Sequence, residues 1–136
     1  MADSIVRLDW TGEGLAFRGA AENGPELVYD SDAKIGPSPT QSLLGSMAAC
    51  MGIDVVMILE KSRVPVTSLS VTVEGDRVQD APRYFHTMRL TYHVSGPTDE
   101  DEAKLQRAVD LSRDKYCSVL HSLRPDLDLE IRIVRD

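Results

Sequence analysis

The chain has 136 residues, 22 of them acidic and 15 basic, for a net charge of −7. With 42% hydrophobic and 27% charged residues it is too apolar to be disordered, and one domain over residues 1–136 is expected. An acidic surface repels phosphate backbones, so nucleic acid is not an expected partner.

The N-terminal MADSIVRLDW has no basic region leading into an apolar one, and no apolar run approaches the ~18–20 residues that span a bilayer. A cytoplasmic location without membrane attachment follows as an expectation. Val6, Leu8 and Trp10 alternate with Arg7 and Asp9, as a strand requires. Turns at Gly12–Gly14 and Asn23–Gly24 then separate two more short alternating runs, so residues 5–30 read as an antiparallel meander. Residues 30–39 form a loop rich in turn formers. Ser38 suits a helix cap and Pro39 the first helical position.

The next segment, running to about Arg63, is the longest apolar stretch. Leu43, Leu44, Met47, Met51, Val55, Ile58 and Leu59 recur at helical spacing, and Ala48, Ala49, Cys50 and Ile53 widen the stripe. A helix apolar on most faces must be covered on most faces. One sheet covers only one side, so a homodimer with two buried central helices is expected. Asp54 sits inside this apolar surface and needs a donor or solvent.

A hairpin follows, with Leu69, Val71 and Val73 in its first strand and Met88, Leu90, Tyr92 and Val94 in its second. Thr98 caps a helix with an acidic first turn, whose buried stripe is read as Leu105, Ala108, Val109, Ser112 and Tyr116. A short helix over CSVLHSL and a last strand through Leu127, Leu129, Ile131 and Ile133 complete the chain. The order βββ–α–ββ–αα–β predicts an α+β fold with antiparallel sheets.

Chemistry rests on two cysteines. From its apolar setting alone, Cys50 reads as a small core hydrophobe. Cys117 follows Lys115 and Tyr116 at a helix junction, where a cation and a helix N-terminus lower a thiol pKa. If the fold brings their Cα atoms within ~4–7 Å, a reversible disulfide becomes possible. No CxxC or HxxxH spacing is present, and His86, His93 and His121 show no ligand spacing, so no metal is expected.

Three segments carry a resemblance. SPTQSLLGSMAACMGIDVVMILEKSR resembles the central helix of the OsmC/Ohr family, APRYFHTMRLTYHVSG its following strand, and AVDLSRDKYCSVLHSL its second cysteine motif. The match covers residues 36–123 and looks most like a less characterised OsmC-like branch. It implies an OsmC-like fold in an intertwined homodimer. It also implies a thiol peroxidase that reduces small organic hydroperoxides in oxidative-stress defence. Cys50 would be the nucleophile that becomes a sulfenic acid, and Cys117 the resolving thiol. No cofactor is implied beyond an external dithiol or lipoyl-type reductant.

Active relatives are described with an arginine held by a glutamate about ten residues before the first cysteine. Thr40 stands there in this chain, followed by Gln41. Arg18 and Arg83 are the candidate cations, and Gln41 is the polar neighbour. The alternative is a redox-sensing or small-molecule-binding dimer without turnover.

Overall fold

The computed structural model describes residues 2–136, which divide into two compact units, 2–43 and 44–136. The first unit holds a three-stranded antiparallel sheet, β1 (Val6–Trp10), β2 (Ala16–Ala21) and β3 (Glu26–Asp30), in the order β1-β2-β3. Asn23 takes a φ of 59° at the tip of the β2–β3 turn, and the Gly24 amide closes that turn on the Ala21 carbonyl at 2.8 Å. Asparagine and glycine tolerate this left-handed geometry better than other residues.

Gly19 matters for a different reason. A Cβ there would collide with the Arg7 carbonyl of the paired strand. Backbone cannot swing aside as a side chain can. Gly19→Ala is therefore expected to force β1 and β2 apart at a cost of about 1–3 kcal/mol. The loss should appear as a lower thermal midpoint with faster amide exchange in residues 6–21. Wild-type exchange there would refute the clash.

After β3 the Asp30 carboxylate accepts the Asp32, Lys34 and Ile35 amides, which folds the loop back and holds the acid below its ordinary pKa. The long helix α1 (Pro39–Lys61) then begins with a reciprocal cap. The Gln41 amide donates to Ser38 Oγ at 3.2 Å, and the Ser38 amide donates to Gln41 Oε1 at 3.0 Å.

Most of α1 belongs to the second unit, with a sheet of order β4-β5-β6: β4 (Ser68–Arg77), β5 (Phe85–Ser95) and β6 (Asp128–Arg135). β4 and β5 form the expected antiparallel hairpin. β6, however, lies parallel to β5. The chain crosses over through α2 (Glu102–Leu111) before it re-enters the sheet, and a crossover of a dozen or more residues is what parallel pairing needs.

One sheet face is apolar. Met88, Leu90, Tyr92 and Val94 alternate along β5 and are all buried, with Met47, Met51, Val55 and Leu59 of α1 and Leu105, Ala108 and Val109 of α2 buried in the same core. Gly52 permits close approach, since a Cβ there would touch Val71 of β4 at 3.3 Å. The other face is polar, and Arg89 pairs with Asp76 at 2.6 Å across β4 and β5.

The segment after α2 departs from regular periodicity. Ser112–Tyr116 forms a π-helical turn, and the Cys117 amide reaches back to the Ser112 carbonyl at 2.9 Å. The extra residue rotates everything beyond it. Tyr116, expected in the buried stripe, is 49% exposed, and Cys117 is fully buried in its place. The expected helix over CSVLHSL shrinks to one 3₁₀ turn at Leu120–Ser122.

Among the described residues, apolar side chains of both units stand exposed. Ile53 and Met57 of α1 are exposed, as are Ile5, Val6, Trp10, Leu15 and Phe17 of the first unit. By length and composition alone α1 could also cross a membrane, although no uninterrupted apolar run announces it.

Candidate functional site

Two turns of helix and one irregular segment build the site. Cys50 and Asp54 stand four residues apart on α1 and so share a face. The π turn carries Cys117 to the same place. The two sulfurs and a carboxylate oxygen of Asp54 all lie within 4.8 Å of one another. Both cysteines are free thiols, Cys50 half-buried and Cys117 buried.

Ser112, itself buried, donates its hydroxyl to Asp54 Oδ2 at 2.9 Å. That bond meets the need of an acid placed in an apolar helix. Tyr92 of β5 lies against the same cluster. Its hydroxyl is buried without a well-aligned hydrogen bond, and Ser112 is the neighbour that comes nearest to supplying one. Burial pushes the phenol far above its ordinary range, and Cys117 and Asp54 add to the shift.

The expectation of a lowered Cys117 pKa is not met. Burial pushes the thiol up to about 11, opposed by the Leu120 amide, which donates to Sγ at 3.3 Å. The neighbouring Cys50 sulfur and the Asp54 carboxylate push in the same direction as burial. Lys115, which was to supply the cation, lies over the Tyr116 ring instead, 5.2 Å from its centroid.

Reagent access should therefore separate the two cysteines. Iodoacetamide near neutral pH is expected to alkylate Cys50 of the reduced protein and leave Cys117 untouched until the pH approaches about 11. Mass spectrometry of the two peptides checks this. Faster labelling of Cys117 would contradict the burial order.

The proposed supporting residues make local contacts of their own. Arg18 pairs with Glu26 at 2.9 Å within the N-terminal sheet. Gln41 is engaged in the helix cap. Arg83 occupies the β4–β5 turn with a φ of 49°, and its carbonyl accepts from Arg77 Nε at 2.7 Å. Ser112 and Tyr92 were not singled out by the sequence, and Asp54 was read there only as an acid in an apolar helix that needs a donor.

Asp54 also borders a cleft of 560 Å³ lined by Met57, Ile58, Leu111 and Tyr116, with Lys61 and Arg107 at its polar parts. Its walls suit an organic molecule with a polar end.

An α+β chain that joins a helix cysteine to a second, buried cysteine across its core defines a two-thiol protein. The chain belongs to the OsmC-like protein family, whose model matches residues 30–132. It is 40% identical over 115 residues to protein YhfA of Escherichia coli K12, covering 84% of each chain. A hypothetical protein from Aquifex aeolicus superposes with a TM-score of 0.86 at 28% identity, over 100% of this chain and 98% of the other. A structure from Legionella pneumophila, described as an organic hydroperoxide resistance protein, gives 0.68 at 17% identity, over 98% of each chain. The last likeness is one of fold.

Proposed function

We propose that this protein is a cysteine-based thiol peroxidase that reduces organic hydroperoxides in the reducing cytoplasm. The observation that carries the reading is the approach of the Cys50 and Cys117 sulfurs, which are 67 residues apart in sequence and within 4.8 Å in space. Cys50 is the nucleophile, because it is the more exposed of the two thiols.

The Cys50 thiolate attacks the O–O bond, takes one oxygen as a sulfenic acid and releases an alkoxide that is protonated to an alcohol. The Cys117 sulfur displaces hydroxide from that sulfenic acid, giving a disulfide and water. A small dithiol or lipoyl-type reductant then gives two electrons and two protons to restore both thiols. The apolar cleft beside Asp54 favours organic peroxides over hydrogen peroxide.

The reduced protein with a dithiol is expected to consume an organic hydroperoxide faster than hydrogen peroxide. Absence of turnover, with both thiols free after peroxide, overturns the reading. One observation favours the non-turnover alternative of a redox sensor: the charges acting on Cys117 are Cys50 and Asp54, neither of them cationic.

The working unit is proposed to be a homodimer. A sheet within the first 43 residues cannot bury a core alone, and apolar side chains of both units stand exposed. A second copy supplies the missing cover. Sedimentation should give about twice the 15.0 kDa chain mass. A monomer at micromolar concentration would refute it.

A further inference from the structure

We propose that Cys50, Asp54 and Cys117 form a binding site for a borderline-soft divalent cation, of which Zn²⁺ is the best fit, with two thiolates and one carboxylate as ligands and the fourth position left to water. Residue spacing carried no signal for such a site, because its ligands come from α1 and from beyond the π turn. In space the three ligand atoms lie within 4.8 Å of one another. Tetrahedral zinc has Zn–S of about 2.3 Å and Zn–O of about 2.0–2.2 Å, which sets neighbouring donors roughly 3.5–3.8 Å apart. Side-chain rotations on the order of 1 Å close that gap.

The ligand chemistry selects the ion. Two sulfurs disfavour Mg²⁺ and Ca²⁺, which take oxygen, and favour Zn²⁺ or Cd²⁺. Two thiolates and a carboxylate together carry three negative charges in a half-buried place, and a dication offsets most of them.

The surroundings fit as well. Ser112 holds Asp54 through Oδ2, so Oδ1 is left to ligate, and a ligand carboxylate oriented by an outer hydrogen bond is the usual arrangement. The Tyr92 hydroxyl is 0% exposed and lacks an aligned partner. It is the donor that a metal-bound water or anion would accept from. Cys50 and Asp54 are only half-buried, and Asp54 opens on the cleft, which gives an ion a way in. Three protein ligands with one open position leave exchange possible.

Binding at this site does not depend on the peroxidase reading. Its consequence does: a bound ion occupies the lone pair with which Cys50 attacks peroxide. The test titrates reduced full-length protein with Zn²⁺ against a chromophoric chelator, and with Cd²⁺ followed by its thiolate charge-transfer absorption. A single ion per chain is expected, with a Cd²⁺ band intensity of two thiolates. Cys50→Ser and Cys117→Ser should each weaken Zn²⁺ at least about 100-fold, and Asp54→Asn about 10-fold or more.

A Cd²⁺ band from one thiolate or none in the unmodified protein overturns the site, whatever the variants do. So does Zn²⁺ binding that survives either cysteine substitution in a chain with native circular dichroism. If Zn²⁺ binds as expected but no peroxide is consumed in its absence, the peroxidase reading fails and the metal site stands.

Discussion

Cys50→Ser is expected to lower hydroperoxide consumption by at least about a thousandfold and to abolish the disulfide with Cys117, because a serine hydroxyl is not ionised at neutral pH and cannot take the oxygen. Cys117→Ser should behave differently. The first turnover survives, since Cys50 still attacks, but the sulfenic acid then has no partner within reach. It should be trapped by dimedone in Cys117→Ser, and with excess peroxide proceed to the sulfinic acid. Steady turnover falls while the single-turnover rate holds. The reverse pattern, with loss of the first turnover on changing Cys117 alone, would exchange the two roles.

The environment of Cys117 makes the distinction sharp. A thiol held near pKa 11 by burial is a poor first nucleophile at neutral pH. It is adequate as a resolving group, because the sulfenic acid is electrophilic and lies beside it. Peroxide consumption limited by resolution should therefore rise as pH increases toward about 11, until unfolding intervenes. The stability sign runs the other way. A cysteine pKa raised on folding contributes stability below its unfolded value of 9.0, and that contribution is lost as pH rises through about 11.

Much of the fold was legible because periodicity reports burial. The meander, α1, the β4–β5 hairpin and β6 each carried an alternating or helical pattern, and the cap at Ser38 and Gln41 confirmed where α1 starts. The parallel direction of β6 was not legible, since alternation says which face a residue takes and nothing of its partner strand.

The site was half legible. Family motifs picked out both cysteines, but their approach depends on the π turn at Ser112–Tyr116, and a 3.6-residue period carries no signal for one inserted residue. The same insertion explains why Tyr116 was placed inside and Cys117 at a reactive junction. Arg18, Gln41 and Arg83 were chosen by their likeness to family positions. Each has a local structural role that the likeness does not disclose: an exposed cross-strand pair, a helix cap and a turn.

Tyr92→Phe is expected to make the protein more stable and less active. The ring sits in the centre of β5 at 0% exposure, so phenylalanine keeps nearly all of its packing. The hydroxyl has given up its water without an aligned partner, a desolvation cost of about 1–3 kcal/mol that the substitution removes. A rise in the thermal midpoint of several degrees should follow. Burial, with Cys117 and Asp54 close by, keeps the phenol protonated across the range where the chain folds, so it retains a proton to donate. A group that weakens the core yet lies close to Cys117 and Asp54 is what a working site tolerates. Its loss should slow hydroperoxide turnover by about tenfold, as expected when one neutral donor to a developing oxygen charge is removed. Unchanged turnover with raised stability would make the hydroxyl idle. Lowered stability would instead assign it to Ser112 as a structural hydrogen bond, and the serine that orients Asp54 would then be held from both sides.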